Sequence, residues 1–238
     1  MDHYERTTQL KPVAATLAPA TILVISCFRA QTFEDATRSL VLVGLTAGFH
    51  LVAMRKVRDR GNTVQKTLWS EWGGNPTARQ LRWSEGSEPA VTRLHRRIQH
   101  MTGVPLPTKA EEERNPTDAD DVYLDAVAQM RERTRDKERY PRVYVELVQY
   151  GTARNFYGLK KIALSIAAIV LTISVLGIIA SLTGLTGWTL WPLAISAISS
   201  AVVASAWILI ITRQYVRTAA ERYANALLST AEEPQPTS

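Results

Sequence analysis

The densest cluster of aromatic and basic side chains lies between residues 69 and 83. This segment holds three of the six tryptophans, two arginines and a Gly-Gly-Asn-Pro turn. Tryptophan rings can stack on a nucleobase, and arginine side chains can pair with phosphates. Three further arginines follow in the next helical segment and extend the same patch. The sequence therefore predicts a ligand-binding patch composed of Trp69, Trp72, Arg79, Arg82, Trp83, Arg93, Arg96 and Arg97.

The turn within this patch offers a second reason to expect an anion. Thr77 is predicted to cap a short helix, and free backbone N–H groups at a helix start favour negative charge. An alternative remains open. The three tryptophans can instead form the core of a small domain or lie against lipid headgroups, because tryptophan is usually largely buried.

Motifs for catalysis are missing from the sequence. The turn at 73–76 matches neither phosphate-binding glycine motif, and no G-x-S-x-G or H-E-x-x-H occurs. His95 and His100 are five residues apart, which does not place them on one helix face for a metal. Asp120, Asp121 and Asp125 lack the spacing of a calcium-binding loop. The chain is predicted to be no enzyme and to need no cofactor or metal.

The elements that must position this patch begin with an uncharged stretch of 51 residues at 162–212. A bilayer core is spanned by roughly 20 apolar residues, so this stretch is long enough for two spans and a turn. The spans are predicted at 162–182 and 188–211, with the turn at 183–187. A buried hairpin in a soluble protein is the alternative, but such helices carry charge on one face. The sequence predicts a membrane protein.

Two shorter uncharged stretches, 12–28 and 39–54, precede the middle of the chain. Each is near the lower length limit for a span, and flanking Lys and Arg side chains can reach the interfaces. The alternatives are a signal peptide for the first stretch and an interfacial helix for either. Asp2 and Glu5 do not fit the basic start of a signal peptide. Two further spans are therefore predicted.

Basic residues at the span ends set the predicted orientation. Four of the six residues at 55–60 are Lys or Arg, and further basic residues precede the third span and follow the fourth. Cytoplasmic loops carry this excess, so both termini and the middle segment are predicted to be cytoplasmic, in a cell plasma or inner membrane. Trp188 and Trp191 are then expected at the outer interface, and Trp207 and Tyr215 towards the inner one.

The middle segment shows a helical pattern of apolar residues. One helix is predicted at 89–102, a second from a Thr117 cap to about residue 138, and a third from Pro141 that continues into the membrane. Gly151 and Gly158 are the points where this third helix could bend. Residues 55–103 carry 10 basic and 4 acidic side chains, and 104–140 carry 7 and 10, so the segment is polarised in charge. A solvated surface or pairing between subunits would explain this.

The predicted fold class follows from these segments. It is an all-α integral membrane protein in which two transmembrane helical hairpins flank an inserted α-helical cytoplasmic domain. The predicted boundaries are 1–54 for the first hairpin, 55–160 for the cytoplasmic domain, 161–215 for the second hairpin and 216–238 for a cytoplasmic tail.

Small residues recur four apart in the last span and allow helices to approach closely. They predict either packing within one chain or a homo-oligomer, with a tetramer favoured, in which serines face a narrow, uncharged pore. His50 is the one ionisable side chain within a span, which disfavours a transporter. The residues assigned to the pore or to helix packing are Ser196, Ser199, Ser200, Ala204 and Ser205.

The pattern W-x-x-W-G-G-x-P-T-x-x-x-L-R at 69–82, together with the span arrangement, resembles small bacterial multi-span membrane effectors of antiphage defence. The resemblance implies a pore-forming effector that responds to a nucleotide or oligonucleotide signal, or to a cytoplasmic protein partner. The competing hypothesis is a non-conducting membrane-anchored sensor or scaffold. The lipid bilayer is the environment common to both.

Overall fold

The structure, a computed structural model, describes Tyr4 and residues 6–27 and 57–231. Within these residues every regular element is helical and no strand forms. A π-helical turn at Arg6–Leu10 and a 3-10 turn at Trp83–Glu85 accompany the α-helices. The α-helices are α1 (Lys11–Cys27), α2 (57–71), α3 (Pro76–Arg79), α4 (Glu88–Thr102), α5 (Lys109–Arg114), α6 (Pro116–Arg133), α7 (Pro141–Leu182), α8 (Leu190–Leu209) and α9 (Arg213–Ser229).

Within the described residues, three helical stretches are long and apolar enough to cross a membrane: Thr7–Ser26, Pro141–Leu182 and Leu190–Leu209. The all-α class predicted from sequence is confirmed for the described residues, and these three helices have the length and composition of membrane spans. The predicted second span, 39–54, lies outside the described residues. The first hairpin and the total of four spans therefore stay predictions.

The turn between α7 and α8 closes at Gly184, whose φ is +73°. The N–H of Gly184 bonds to the carbonyl of Ser181 at 3.2 Å, and the N–H of Leu185 bonds to that of Ala180 at 2.9 Å. This pair of bonds is the Schellman motif, which satisfies the last carbonyls of a helix with a left-handed glycine. The turn predicted at 183–187 forms for this reason.

Helix α7 continues without interruption for 42 residues, as the absence of proline after Pro141 predicted. Neither glycine interrupts it, because both serve close packing. A Cβ atom on Gly158 would lie 3.2 Å from backbone atoms of Arg60, and one on Gly151 would lie 2.7 Å from the Tyr4 hydroxyl. Small residues therefore allow α7 to approach neighbouring segments closely.

The chain divides into two compact units. The apolar unit comprises Met1–Val64 and Gly151–Tyr215, and the polar unit comprises Gln65–Tyr150 and Val216–Ser238. The core of the apolar unit joins α1, α2, α7 and α8 through Val13, Leu17, Val57, Leu159, Ala163, Trp207 and Ile211.

Trp207, which was predicted to lie towards the inner interface, packs inside the apolar unit. Its side chain is buried, and its ring lies 5.4 Å from that of Phe156, centroid to centroid. Packing against α7 removes the indole from the surface. Trp188, Trp191 and Tyr215 are exposed, as residues of an aromatic belt would be.

The polar unit is arranged around α6, on which α3, α4 and α5 pack. Its largest fully buried side chains include Leu81, Ile98, Tyr123, Met130 and Leu227. Leu227 belongs to α9, so the segment from Val216 onward contributes to this core. The predicted description of 216–238 as a tail missed this helix, whose buried residues lie three and four apart.

Of the first two helices predicted in the middle segment, one has the predicted bounds and the other does not. The helix predicted at 89–102 forms as α4 and ends at Gly103, whose φ is +79°. The predicted Thr117 cap of α6 is wrong, because the Asn115 side chain accepts a bond from the N–H of Asp118. Helix α6 also stops at Arg133, before the predicted residue 138. Beyond it, the Asp136 carboxylate accepts the N–H of Glu138 at 2.8 Å in a local turn that competes with helix.

Candidate functional site

The tryptophan-rich segment begins where α2 ends. Gly73 and Gly74 both have positive φ, and the N–H of Gly74 bonds to the Trp69 carbonyl at 2.8 Å. The chain can reverse here because glycine adopts such angles without strain. The reversal places Trp72 beside α3, where Arg79 donates to the Trp72 carbonyl at 3.0 Å.

The predicted anion site at the start of α3 is occupied by the chain itself. The cap is Asn75, not Thr77, and its side-chain oxygen lies 2.9 Å from the N–H of Thr77 and 3.5 Å from that of Ala78. Thr77 is buried. The predicted capped helix start forms, but the prediction of Thr77 as its cap was wrong. Asparagine before proline is as good a cap as threonine, so the residue types did not distinguish the two.

Arg82 forms a two-pronged ion pair with Asp120 of α6. Its Nε and one terminal nitrogen lie 2.8 Å and 2.7 Å from the two carboxylate oxygens, and the same terminal nitrogen donates to the Gly73 carbonyl at 2.9 Å. Asp120 raises the pKa of the Arg82 guanidinium through these hydrogen bonds. Most of the donors of Arg82 are therefore engaged inside the polar unit.

Arg79 is engaged in a similar way. Besides its bond to Trp72, its Nε lies 3.4 Å from a carboxylate oxygen of Glu85. The side chain is mostly buried. Arg79 and Arg82 thus stabilise the fold of segment 72–85.

The indole N–H groups of two tryptophans also have partners within the polar unit. Trp69 donates to the Tyr150 hydroxyl at 3.1 Å, and Trp83 donates to the Pro107 carbonyl at 3.0 Å. All three tryptophans of the segment, including Trp72, are half-buried. The arrangement agrees with tryptophans used as packing anchors, and their remaining exposed edges can still contact a ligand.

A network of polar side chains that the sequence reasoning missed lies beneath Trp83. Glu112 accepts bonds from the backbone N–H of Trp83 at 3.2 Å and from the Tyr123 hydroxyl at 2.5 Å. The His95 ring packs edge-on against Trp83 and donates from Nε2 to the Leu81 carbonyl at 2.7 Å. These bonds join segment 81–83 to α4, α5 and α6. We call His95, Glu112, Tyr123 and Trp83 the buried network.

Burial determines how this network titrates. It lowers the pKa of His95, although the Leu81 carbonyl and Glu112 oppose the shift. It also raises the pKa of the Tyr123 hydroxyl well above its usual range, and the bond to Glu112 acts in the same direction. Both side chains are therefore neutral near pH 7. One sequence signal for His95 was available, since it falls between Val91 and Ile98 on the apolar face of α4.

The remaining arginines of the predicted patch face away from the buried network. Arg93, Arg96 and Arg97 lie on the exposed side of α4, opposite its buried residues. Across the described parts of the chain, Arg93 and Arg96 have no ion pair or side-chain hydrogen bond. The predicted patch thus separates into an internally bonded part and an exposed basic face.

The serines predicted to line a pore or pack helices occupy different faces of α8. Ser196 and Ser200 are fully buried, and the Ser200 hydroxyl donates to the Ser196 carbonyl at 2.7 Å. Ser199 and Ala204 are half-buried, and Ser205 is exposed. Ser196 and Ser200 therefore pack within the single chain, whereas Ser205 is available to lipid or to another chain.

An apolar cavity of about 460 Å³ lies near the turn end of the apolar unit, lined by residues that include Leu23, Ile173, Trp188, Pro192 and Leu193. It can take an apolar group, such as part of a lipid chain, and none of the described side chains that line it is charged. Among the residues that the structure describes, no group of three or more His, Cys, Asp or Glu side chains could hold a metal ion.

No protein-family model, curated protein or solved structure matches this chain, so the resemblance at 69–82 and the role that it implies stay predictions.

Proposed function

We propose that this chain is a non-enzymatic membrane effector that forms a channel or pore as a homo-oligomer under the control of its polar unit. The observation that carries the proposal is the division of the small residues of α8. One row, Ser196 and Ser200, is buried by packing within the chain. A second row, Ala197, Ala201 and Ser205, is half-buried or exposed.

The second row matters because of how helices associate in lipid. Apolar side chains gain little by exchanging lipid for another helix, so close approach at small residues is a main source of association. A row of small residues left open in one chain can be covered by a neighbouring chain. A path between such helices would be narrow and uncharged, and dewetting could gate it.

We propose an inner-membrane location with both termini and the polar unit in the cytoplasm. The supporting observation is the basic sequence at 55–60 and at both cytoplasmic ends of the last two predicted spans. Cysteine labelling tests the orientation in a Cys27→Ser background. A thiol at Gly184→Cys should react from outside, and one at Thr108→Cys only after permeabilisation. The reverse labelling would overturn the orientation.

Control by a nucleotide or oligonucleotide signal requires an accessible cationic surface. Arg79 and Arg82 are paired with Glu85 and Asp120, so a phosphate that binds there would have to displace these carboxylates. Exposed edges of Trp72 can add stacking. A role in antiphage defence is part of the proposal and is supported by the resemblance at 69–82.

Single-channel recording of the purified full chain in planar bilayers tests the proposal. We expect discrete current steps whose open probability changes when nucleotides or short oligonucleotides are added on the side of the polar unit. The variant Ala201→Leu/Ser205→Leu should reduce the current by filling the open row, whereas Ile198→Leu on the same helix should not. A bilayer that stays closed under all of these conditions would contradict a channel.

The second candidate is a non-conducting membrane-anchored sensor or scaffold that recruits a cytoplasmic partner. The burial of Ser196 and Ser200 favours it, because Ser200, which was predicted to line a pore, is buried within one chain and bonds to the Ser196 carbonyl. The side chains of α8 that remain most exposed are largely apolar, among them Ile198, Val202 and Leu209. This candidate predicts partner capture without current, and with no effect of Ala201→Leu/Ser205→Leu.

A further inference from the structure

Two helices of the polar unit carry opposite charges on their outward faces. On α4, Arg93, Arg96 and Arg97 are exposed, and we call them the basic stripe. On α6, the exposed side chains Asp118, Asp121, Asp125 and Glu132 form the acidic stripe. At about 100° per residue, the basic stripe points roughly 160° away from the buried side of α4, and the acidic stripe roughly 150° away from that of α6. Both stripes therefore face outward.

The centres of both stripes are unpaired. In the described ranges, Arg93, Arg96, Asp121 and Asp125 make no ion pair and no side-chain hydrogen bond. The same helix shows the contrast, since Asp120 next to Asp121 is held by Arg82 at 2.7 Å. Within the described ranges, the ion pair that stabilises the unit is thus satisfied internally, and Arg93, Arg96, Asp121 and Asp125 are left without such partners.

The central pairs of the two stripes have similar spacing. With a rise of about 1.5 Å per residue, Arg93 and Arg96 are about 4.5 Å apart along their helix, and Asp121 and Asp125 about 6 Å apart. Two helices that pack side by side are about 8–10 Å apart, a distance that arginine and aspartate side chains bridge together. Each arginine can then meet one carboxylate.

We infer that the basic stripe of one chain docks on the acidic stripe of a second copy. The inference rests on the proposed function, in which several copies assemble in one membrane, and it names the surface that joins their polar units. Because the two surfaces differ, the contact is head-to-tail and repeats around a ring when the rotation between copies closes. Confinement to one membrane raises the effective concentration of the copies, so weak exposed pairs can act together.

Charge reversal in the full chain tests the contact. Two differently tagged copies are co-expressed, extracted in mild detergent at low salt and co-purified through one tag. Arg93→Glu/Arg96→Glu reverses the charge at the centre of the basic stripe, and Asp121→Arg/Asp125→Arg reverses it at the centre of the acidic stripe. Each variant should co-purify with itself about tenfold less than the original chain does, because like charges oppose each other.

Restored co-purification of the two reversed variants is the decisive result. When the two reversed variants are co-expressed, each altered stripe meets its complement, so co-purification should return. The chain with all four substitutions should also associate with itself. The matched control is Arg131→Glu/Arg133→Glu, at exposed positions of α6 outside the acidic stripe. It changes the net charge of the chain by the same amount as Arg93→Glu/Arg96→Glu does, and it should associate normally. Raising the salt should weaken association of the original chain, since exposed charges are screened beyond about 10 Å at 0.1 M.

Other occupants of the basic stripe give different results. If it binds anionic lipid, Arg93→Glu/Arg96→Glu would lose binding to vesicles containing phosphatidylserine, while the complementary variants would fail to restore association. If it binds nucleic acid, the same variant would lose binding to a labelled oligonucleotide, again without restoration. Either result overturns the inference. Circular dichroism of each variant distinguishes loss of contact from loss of fold.

Recording currents from the same variants separates this inference from the proposed function. Currents that persist when no variant alters co-purification would overturn the stripe contact and retain the channel. Restored co-purification with a closed bilayer would retain the contact and overturn the channel.

Discussion

In the polar unit, hydrogen bonds and an ion pair join segments far apart in sequence, whereas in the apolar unit the closest contacts form where glycine lets helices meet. The polar unit uses Arg82 with Asp120 and Tyr123 with Glu112. In the apolar unit, a Cβ atom on Gly61 would lie 2.1 Å from the Asn155 side chain, and one on Gly177 would lie 3.1 Å from Leu193.

The two solvents account for this difference. In water, burial of apolar area supplies most of the stabilisation, and specific polar pairs then select one packing among many. In lipid, the surroundings are as apolar as the side chains, so burial alone selects little. Steric fit at small residues has to supply the selection instead. Substitutions in one unit at a time test this difference.

The largest effect is expected for Tyr123→Ala in the polar unit. The side chain is fully buried between Glu112 and the His95 ring. Loss of its ring should lower the free energy of unfolding by about 3–5 kcal/mol. Tyr123→Phe keeps the ring and should cost about 1 kcal/mol, the worth of one hydrogen bond. Urea unfolding of the full chain in micelles, followed by near-UV circular dichroism, measures both. Equal losses for the two variants would show that the ring packing matters little.

In the apolar unit, Gly61→Ala should be the most costly addition of one methyl group. The new Cβ atom would overlap Asn155, whose side-chain nitrogen is held by the Thr8 carbonyl at 2.9 Å. Overpacking of this kind costs about 1–3 kcal/mol. Gly187→Ala is the control, because nothing lies within 4 Å of its Cβ position. Titration with dodecyl sulfate in mixed micelles should separate the two variants. Two identical curves would mean that close approach does not stabilise this unit.

Sequence alone predicted the apolar unit well where one strong signal acts. Absence of charge over 162–212 located the last hairpin, and Gly184 identified its turn, because both follow from local chemistry. It did not predict that Trp207 is buried or which serine row faces inward. Those outcomes depend on which neighbouring helix packs on each face of a span.

For the candidate site, the residue types were correct but their partners were not available from sequence. Arg82 pairs with Asp120, which is 38 residues away in sequence, and Trp83 bonds to Glu112, which is 29 residues away. No periodic pattern connects such pairs. An arginine that binds a ligand and one that binds a distant carboxylate look the same in a linear chain. The exposed arginines of α4 were distinguishable only by their position opposite Val91 and Ile98.

A smaller effect is expected for the ion pair between Arg82 and Asp120. Each side chain is partly exposed, so solvent weakens the attraction, and loss of either should cost about 1–2 kcal/mol. A double-mutant cycle with Arg82→Ala and Asp120→Ala isolates the coupling, which should be about 1 kcal/mol. Arg82→Lys should not restore it, because an ammonium group cannot form two parallel bonds to a carboxylate. Additive single losses would remove this pair from the interactions that select the packing.

The smallest effect is a pH dependence that arises from His95. Burial lowers its pKa in the folded chain, so below about pH 6.5, the ordinary value for histidine, the unfolded chain binds a proton that the folded chain does not. The free energy of unfolding should therefore fall as the pH drops through that value, with no contribution from His95 well above it. His95→Gln can still donate to the Leu81 carbonyl but cannot titrate. The free energy of unfolding should differ less between pH 7.5 and pH 5.5 for His95→Gln than for the original chain.

His100→Gln, at an exposed position on the same helix, serves as the control and should keep the original pH dependence. If His95→Gln keeps it as well, the proton is bound elsewhere and the buried network does not set the acid sensitivity of the polar unit.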